Sequence, residues 1–452
     1  MTTVLYIIGY FILLLYLPKV ADNPIVKALP LMYFLVYYIY LTLSTRKLPA
    51  LPIKRNYTAI HVASIILIIG LARTNKPDTI LMGSVVKVLS FLAFLMCTIA
   101  YSEWYVRKRN KDFILFFFLV NLVPYLLYCF VNIFLWASGI SVGKYEETTI
   151  GEALLLSQLG INIERVKFPL VTGFNSFATL LGGLFSVTLM GLVSSFRYKS
   201  LLWLSLAIIF VMLLMIDSRT ALIYPVLCCL LVLFLKKREK IGILRTFPIT
   251  QIFGPILLVL FLQLVSNIPF FASLSRSSED LQTGNSRTMV WTMALTEFIE
   301  FKFDHIAGYG EYGHYESGAS ALWAPFFSSY ENSEMMHPHN TILMILFDYG
   351  IIGLIAYFFL LYRSINMVIS TWKFNKDFNS LIVTYLAYFL IIGITESFFG
   401  FYYLNSYYLL FSVLIVQAAV TPYIQMEYIR NHESAMLKKQ GRNQKFELHH
   451  AH

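Results

Sequence analysis

Apolar runs of about 15 to 25 residues recur along the whole length of this chain. A helix of about 20 residues crosses the hydrocarbon core of a bilayer, and within lipid the backbone has no partner but itself. A chain made mostly of such runs is therefore confined to spanning helices. Composition agrees: 58% of residues are hydrophobic and 13% charged, where soluble domains carry about 25% charge. The expected fold is an all-α polytopic membrane protein.

Twelve spans are expected, at 4–18, 25–43, 58–72, 79–101, 113–138, 169–195, 200–216, 220–235, 248–266, 340–362, 382–399 and 401–420. The first has no small-residue cleavage site and reads as a retained span. With both termini cytoplasmic, 23 of the 35 Lys and Arg residues fall in cytoplasmic loops or the C-terminal tail. That is the positive-inside bias, and losing one span would invert every later loop. The net charge of +10 thus reports membrane orientation, and no nucleic-acid partner is expected. Cys97, Cys129, Cys228 and Cys229 all lie in apolar runs, which suggests neither a disulfide framework nor a Cys-based metal site.

Two long segments are then extracytoplasmic, 139–168 and 267–339, the second lying between spans nine and ten. Within it, 287–303 has the pattern of an amphipathic interfacial helix. Residues 1–422 read as one integral-membrane domain, and 423–452 as a basic, disordered cytoplasmic tail. No repeat of 20–50 residues is apparent.

Four features lie on the extracytoplasmic side. The first is His337-Pro338-His339-Asn340, where the long loop returns to span ten, followed by Gly350 and Gly353. A lipid-facing helix has no use for imidazoles, whereas a reaction at the surface can use a base of near-neutral pKa. The two glycines, about three turns deeper, permit close helix packing. A helix cap or a hydrogen-bonded structural His is the plain alternative.

The second is Asp217-Ser218-Arg219-Thr220, in the tight turn between spans seven and eight. Arg219 there is either a snorkelling anchor or a functional cation. The third is Ser286-Arg287-Thr288-Met289-Val290-Trp291. An arginine opening a helix suits a phosphate, and a solvated loop arginine is the alternative. The fourth is Gly308-Tyr309-Gly310, whose glycines allow tight turns and close backbone approach.

Glu279, Asp280, Glu297, Glu300, Glu331 and Glu334 are scattered and read as loop solvation. No Asp-x-Asp, Walker-type motif or metal cluster is apparent, so no cofactor and no metal are expected. Chemistry outside the cell without nucleotide donors needs a pre-activated substrate. A lipid diphosphate fits, because arginines can hold its leaving group.

His339-Asn340, nine residues, Gly350, two residues, Gly353 resembles the pattern of bacterial O-antigen ligases and the related O-antigen and capsule polymerases. Asp217-Ser218-Arg219, Ser286-Arg287 with Trp291, and Gly308-Tyr309-Gly310 match that superfamily in order, spacing and membrane side. The resemblance covers about 172–360.

It implies a metal-independent, inverting glycosyltransferase of the GT-C type in the bacterial inner (plasma) membrane, with its site on the periplasmic or extracellular face. The donor would be an undecaprenyl-diphosphate-linked glycan. The acceptor would be another glycan, or lipid A-core in lipopolysaccharide biosynthesis. By the same resemblance His339 would be the base, and Arg219 and Arg287 would bind the diphosphate. Ser286, Trp291, Tyr309 and Asn340 would support or bind substrate, and His337 would orient Asn340 or bind sugar. Tyr309, Tyr312, Tyr315, Trp323, Phe326, Phe327 and Tyr330 suit stacking on sugar faces or anchoring at the interface. A chain-length regulator is a further expected partner.

The leading expectation is a polymerase of surface polysaccharide repeat units, with an O-antigen ligase as the alternative. The rival from another class is a lipid-linked oligosaccharide flippase. It requires charges inside the bundle, for which Lys87 and Glu396 are the main residues available; Glu396 could instead reach the outer site. A scaffold protein would need none of these groups.

Overall fold

The computed structural model describes residues 1–16, 24–45, 57–75, 78–108, 112–140, 151–158, 160–171, 173–265, 286–327, 333–400 and 404–450. Its long helices are α1 (Thr2–Tyr16), α2 (Pro24–Thr45), α3 (Thr58–Arg73), α4 (Asp78–Lys108), α5 (Phe113–Asn121) and α6 (Val123–Ala137). They continue as α7 (Phe174–Val193), α8 (Lys199–Ile216), α9 (Arg219–Arg238) and α10 (Ile249–Val265). The last four are α11 (Arg287–Thr296), α12 (Thr341–Thr371), α13 (Lys376–Ile392) and α14 (Leu404–His450). Each expected span falls on a helix. Among the described residues seven helices are long and apolar enough to cross a membrane, and four shorter ones are apolar. This is an all-α, multi-pass membrane protein, and no strand forms among the described residues.

Local chemistry sets several ends. Asp112, Asn340 and Asn375 cap α5, α12 and α13, each accepting a backbone N–H from three residues on. Lys236, Lys237 and Arg238 close α9, where cations meet the negative end of the helix dipole. Gly182 and Gly183 let α7 lie against Tyr388 and Phe389 of α13, because a Cβ at Gly182 would stand 2.0 Å from the Tyr388 hydroxyl.

The polar contacts sort by membrane end. Arg73 pairs with Asp304 and donates to the Gly308 carbonyl (3.2 Å). Lys87 pairs with Glu311 (3.1 Å), whose N–H donates to Thr74. Apart from Lys87, which lies in the outer half of the fourth expected span, all are residues expected outside. At the other end Lys236 pairs with Asp377 (2.7 Å), Lys376 with Glu239 (2.8 Å), and Arg245 donates to Asn366. All of these are expected inside. A register error in the span count would have mixed the two sets.

Span 113–138 holds as one apolar run over Phe113–Ala137, with a turn at Leu122 between α5 and α6, where Pro124 removes a ladder donor. Three expectations are corrected. The amphipathic helix stops at Thr296, where a tight turn brings the Phe298 N–H to the Leu295 carbonyl (3.1 Å). The basic tail continues α14 as helix to His450 instead of unravelling; past Pro422 it is rich in Lys, Arg, Gln and Glu, which favour helix. Span 382–399 ends at Ile392. Gly393 and residues 395–400 form a buried irregular segment, tolerated at a membrane end because protein supplies its partners.

Candidate active site

The irregular segment after α13 is bonded to the start of α12. The Thr341 N–H donates to the Gly393 carbonyl (2.9 Å), and its hydroxyl to the Glu396 carbonyl (2.9 Å). Asn340 accepts from the Leu343 N–H (3.0 Å) and donates to the Ile394 carbonyl (3.0 Å). Asn340 is thus a cap and a strut at once. These bonds carry Glu396 to the mouth of α12.

The loop before α12 is held from its other side. The Trp323 indole N–H donates to the Met336 carbonyl (2.8 Å), and the Trp291 indole N–H to the Pro338 carbonyl (3.0 Å). His314 Nε2 meets the Met335 carbonyl (3.0 Å). Both indoles belong to a small apolar core with Val290, Ala294, Leu343 and Phe347, which joins α11, the long loop and the first turns of α12. Trp323 is wholly buried there, so it neither stacks on a sugar nor anchors at the interface. Pro338 is buried, and its carbonyl left unpaired would cost about 1–3 kcal/mol, which is reason enough for the Trp291 indole there.

His339 sits at φ 49, in the left-handed region. A non-glycine residue there stores strain of about 1–3 kcal/mol and needs surrounding structure to hold it. Its N–H donates to His337 Nδ1 (3.1 Å), and the two rings lie 4.1 Å apart. His337 therefore holds an unprotonated nitrogen toward its neighbour. Burial, with the nearby charges of His339, His314 and Arg287, pushes its pKa well below the usual 6.5, so His337 is neutral.

His339 Nδ1 lies 3.1 Å from Glu396 Oε2, and the other oxygen of the same carboxylate binds the Arg287 guanidinium. Burial opposes ionisation of Glu396, but Arg287 and His339 outweigh it and hold the carboxyl below its ordinary value. An ionised carboxylate only accepts, so Nδ1 carries the proton and a neutral His339 has its lone pair on Nε2. Arg287 opens α11, one turn before Trp291, and that spacing turns both toward the His339 loop. Its buried Nε has no hydrogen-bond partner. Ser286, at φ 61, makes the turn into α11.

Arg219 has a different neighbour. It begins α9 and faces Asp217 across 3.8 Å, while Asp217, at φ 60, accepts the Leu155 N–H (3.0 Å). Further along α9, Tyr224 lies within electrostatic reach of both Arg287 and Glu396. The helix that carries Arg219 thus borders the cluster.

Tyr309 points elsewhere. Its hydroxyl donates to Glu297 (2.7 Å), which also takes Lys302 (2.6 Å) and faces His305 (3.4 Å). Glu297 is a half-buried hub and not a solvating loop residue. Gly308 and Gly350 are the points where loop and helix backbones cross. Gly350 has φ 65, and a Cβ on it would lie 2.5 Å from the Gly308 nitrogen. The expected role of Gly350 in helix packing is replaced by this crossing, which breaks the helical path of α12.

Residues 204–358 match the O-antigen ligase family. The match bears out the resemblance carried by the Asp217, Ser286-Arg287, Gly308 and His339 motifs, all of which lie inside it. The matched region runs from within α8 to within α12, about a third of the chain, and Glu396 lies beyond it. No curated protein matches the chain.

The structure joins Arg287 and His339 of the matched region through Glu396 beyond it, and Trp291 and His337 through the Pro338–His339 peptide, whose carbonyl and N–H they bind. The residues whose place the motifs did not give are Trp323, His314 and Glu396. Trp323 stood among the loop aromatics, and Glu396 as a carboxylate at the outer limit of an apolar run. Lys87 and Glu396, the charges a flippase would need, both pair with residues of the long loop. Residues 267–285, Tyr330 and Glu331 lie outside the described residues.

Proposed function

We propose that the chain is a metal-independent, inverting glycosyltransferase that polymerises lipid-linked polysaccharide repeat units at the periplasmic or extracellular face of a bacterial plasma membrane. The O-antigen ligase match supports the class of lipid-linked glycan substrates. The observation that carries the reading is one buried carboxylate shared by His339 and Arg287.

In this reading the acceptor hydroxyl gives its proton to His339 Nε2. Its oxygen attacks the anomeric carbon from the face opposite the diphosphate, and the configuration inverts. The bond from that carbon to the diphosphate oxygen breaks, and the electron pair leaves with the undecaprenyl diphosphate. Arg287, with an N–H to spare, and Arg219 hold the departing charge. A positioned base contributes about 10²–10⁴-fold, and leaving-group stabilisation a comparable factor.

The name of the matched family favours a second reading, ligation of finished glycan to lipid A-core. One experiment separates the two. Purified protein is incubated with a lipid-linked repeat unit, alone and with lipid A-core, in the presence of EDTA. A ladder from the repeat unit alone supports polymerisation. Product on lipid A-core only supports ligation. No product in either arm, with protein folded and EDTA omitted, overturns the glycosyltransferase reading.

A further inference from the structure

Glu396 lies outside the O-antigen ligase match, yet two of the three groups assigned to chemistry, Arg287 and His339, rest on it. We infer that Glu396 is the positioning residue that couples the leaving-group arginine to the base, by committing one carboxylate oxygen to Arg287 and the other to His339. The inference rests on the function proposed above.

The segment that carries Glu396 is fixed independently of the two partners. The Glu396 N–H donates to the Ile392 carbonyl (2.8 Å), its carbonyl accepts from Thr341, and the next residue, Ser397, donates to the Asn340 carbonyl (3.3 Å). The side chain is buried. The carboxylate is thus preset and does not depend on its partners for its place.

Two things follow for the reaction. First, Oε2 fixes which nitrogen of His339 carries hydrogen. The proton taken from the acceptor goes to Nε2, and the imidazolium that forms is stabilised across 3.1 Å. Glu396 keeps its charge and takes no proton. Second, Oε1 holds one arm of the Arg287 guanidinium, so a single carboxylate sets the places of both the cation and the base. The groups facing His339 in this arrangement are Glu396 after α13 and His337 in its own loop, with the Phe327 ring 5.8 Å away. Arg287 of α11 acts through Glu396.

The test uses full-length protein and a lipid-linked repeat unit, with kcat and donor KM measured for wild type, Glu396→Gln and Glu396→Asp. His339→Ala is the inactive control. The expected result for Glu396→Gln is a kcat loss approaching the full worth of a positioned base, up to about 10⁴-fold. The KM for the donor should not rise. Glu396→Asp, which keeps the charge, should recover part of kcat. An active wild type with a Glu396→Gln variant of normal kcat overturns the inference. So does a Glu396→Asp variant no faster than Glu396→Gln, which is the signature of a merely structural residue. If Glu396→Gln does not accumulate, the Asp variant decides: reduced kcat at the wild-type donor KM supports the inference, and full kcat or a raised KM opposes it. An inactive wild type removes the underlying function instead.

Discussion

His339 Nδ1 lies 3.1 Å from Glu396 Oε2, across 57 residues of sequence. The contact orients a buried imidazole at the helix start, as the proposed base requires. It also ties the two ends of the α12–α13 pair together at the point where chemistry is proposed.

Removing the imidazole should remove the reaction. His339→Ala is expected to lower glycan transfer by about 10²–10⁴-fold while membrane levels of the protein stay unchanged. Product formation from a lipid-linked donor, with quantitative immunoblotting of membranes, checks this. Wild-type activity would take His339 out of the mechanism.

Arg287→Lys keeps the charge but loses the fork that binds Glu396 while presenting a further N–H. The expected loss in kcat is about 10²-fold, as for a missing charge-stabilising donor. A normal turnover number would mean that Arg287 does not grip the diphosphate.

The indole of Trp291 donates to the carbonyl just before His339. Trp291→Phe keeps most of the ring and deletes that donor, at a cost of about 1–3 kcal/mol for the orphaned carbonyl. Thermal unfolding in detergent should show the loss, and kcat should fall more than the unfolding midpoint alone explains. An unaltered midpoint would show that the carbonyl finds another partner.

Gly350→Ala should be more damaging than its single methyl suggests. The new Cβ would stand 2.5 Å from the Gly308 nitrogen at a φ of 65. Overpacking with a positive φ costs about 1–3 kcal/mol or more. The measurement is the yield and melting temperature of purified protein, and a wild-type melting temperature would refute the crossing.

Folding depresses the pKa of His337 below 6.5. Above that value the residue is neutral in both the folded and unfolded states. As pH falls below about 6.5 the unfolded chain takes up a proton that the folded one resists, so stability declines as the pH drops further. Melting temperatures between pH 7 and 5 should fall for wild type and fall less steeply for His337→Gln. Parallel slopes would show that His337 is not the group responsible.

The spans were legible because hydropathy is a local property, and each expected run became a helix. His339, Arg287 and Trp291 were legible for a similar reason: polar or aromatic groups at the end of apolar segments stand out. The turn at Leu122 and the early end of α13 at Ile392 were not, since apolar composition continues through both. Glu396 reaches the site only because Thr341 and Asn340 pair with the segment after α13, and no pattern within either stretch announces the other. Glu297 looked like a solvated loop acid because its partners Lys302, His305 and Tyr309 gather only when the chain folds back. Gly350 had a sequence signal, but the element that crosses it is the distant loop at Gly308 and not a neighbouring helix.

The backbone crossing at Gly308 and Gly350 also bears on chimeras. A loop transplanted from a relative to change sugar preference must arrive with bare backbone at this junction. A graft lacking it would be levered off α12 and would carry the two indole clamps away from His339. Such an exchange should therefore keep both borders of the transplanted piece on the tip side of Gly313, leaving the junction in the hands of the host.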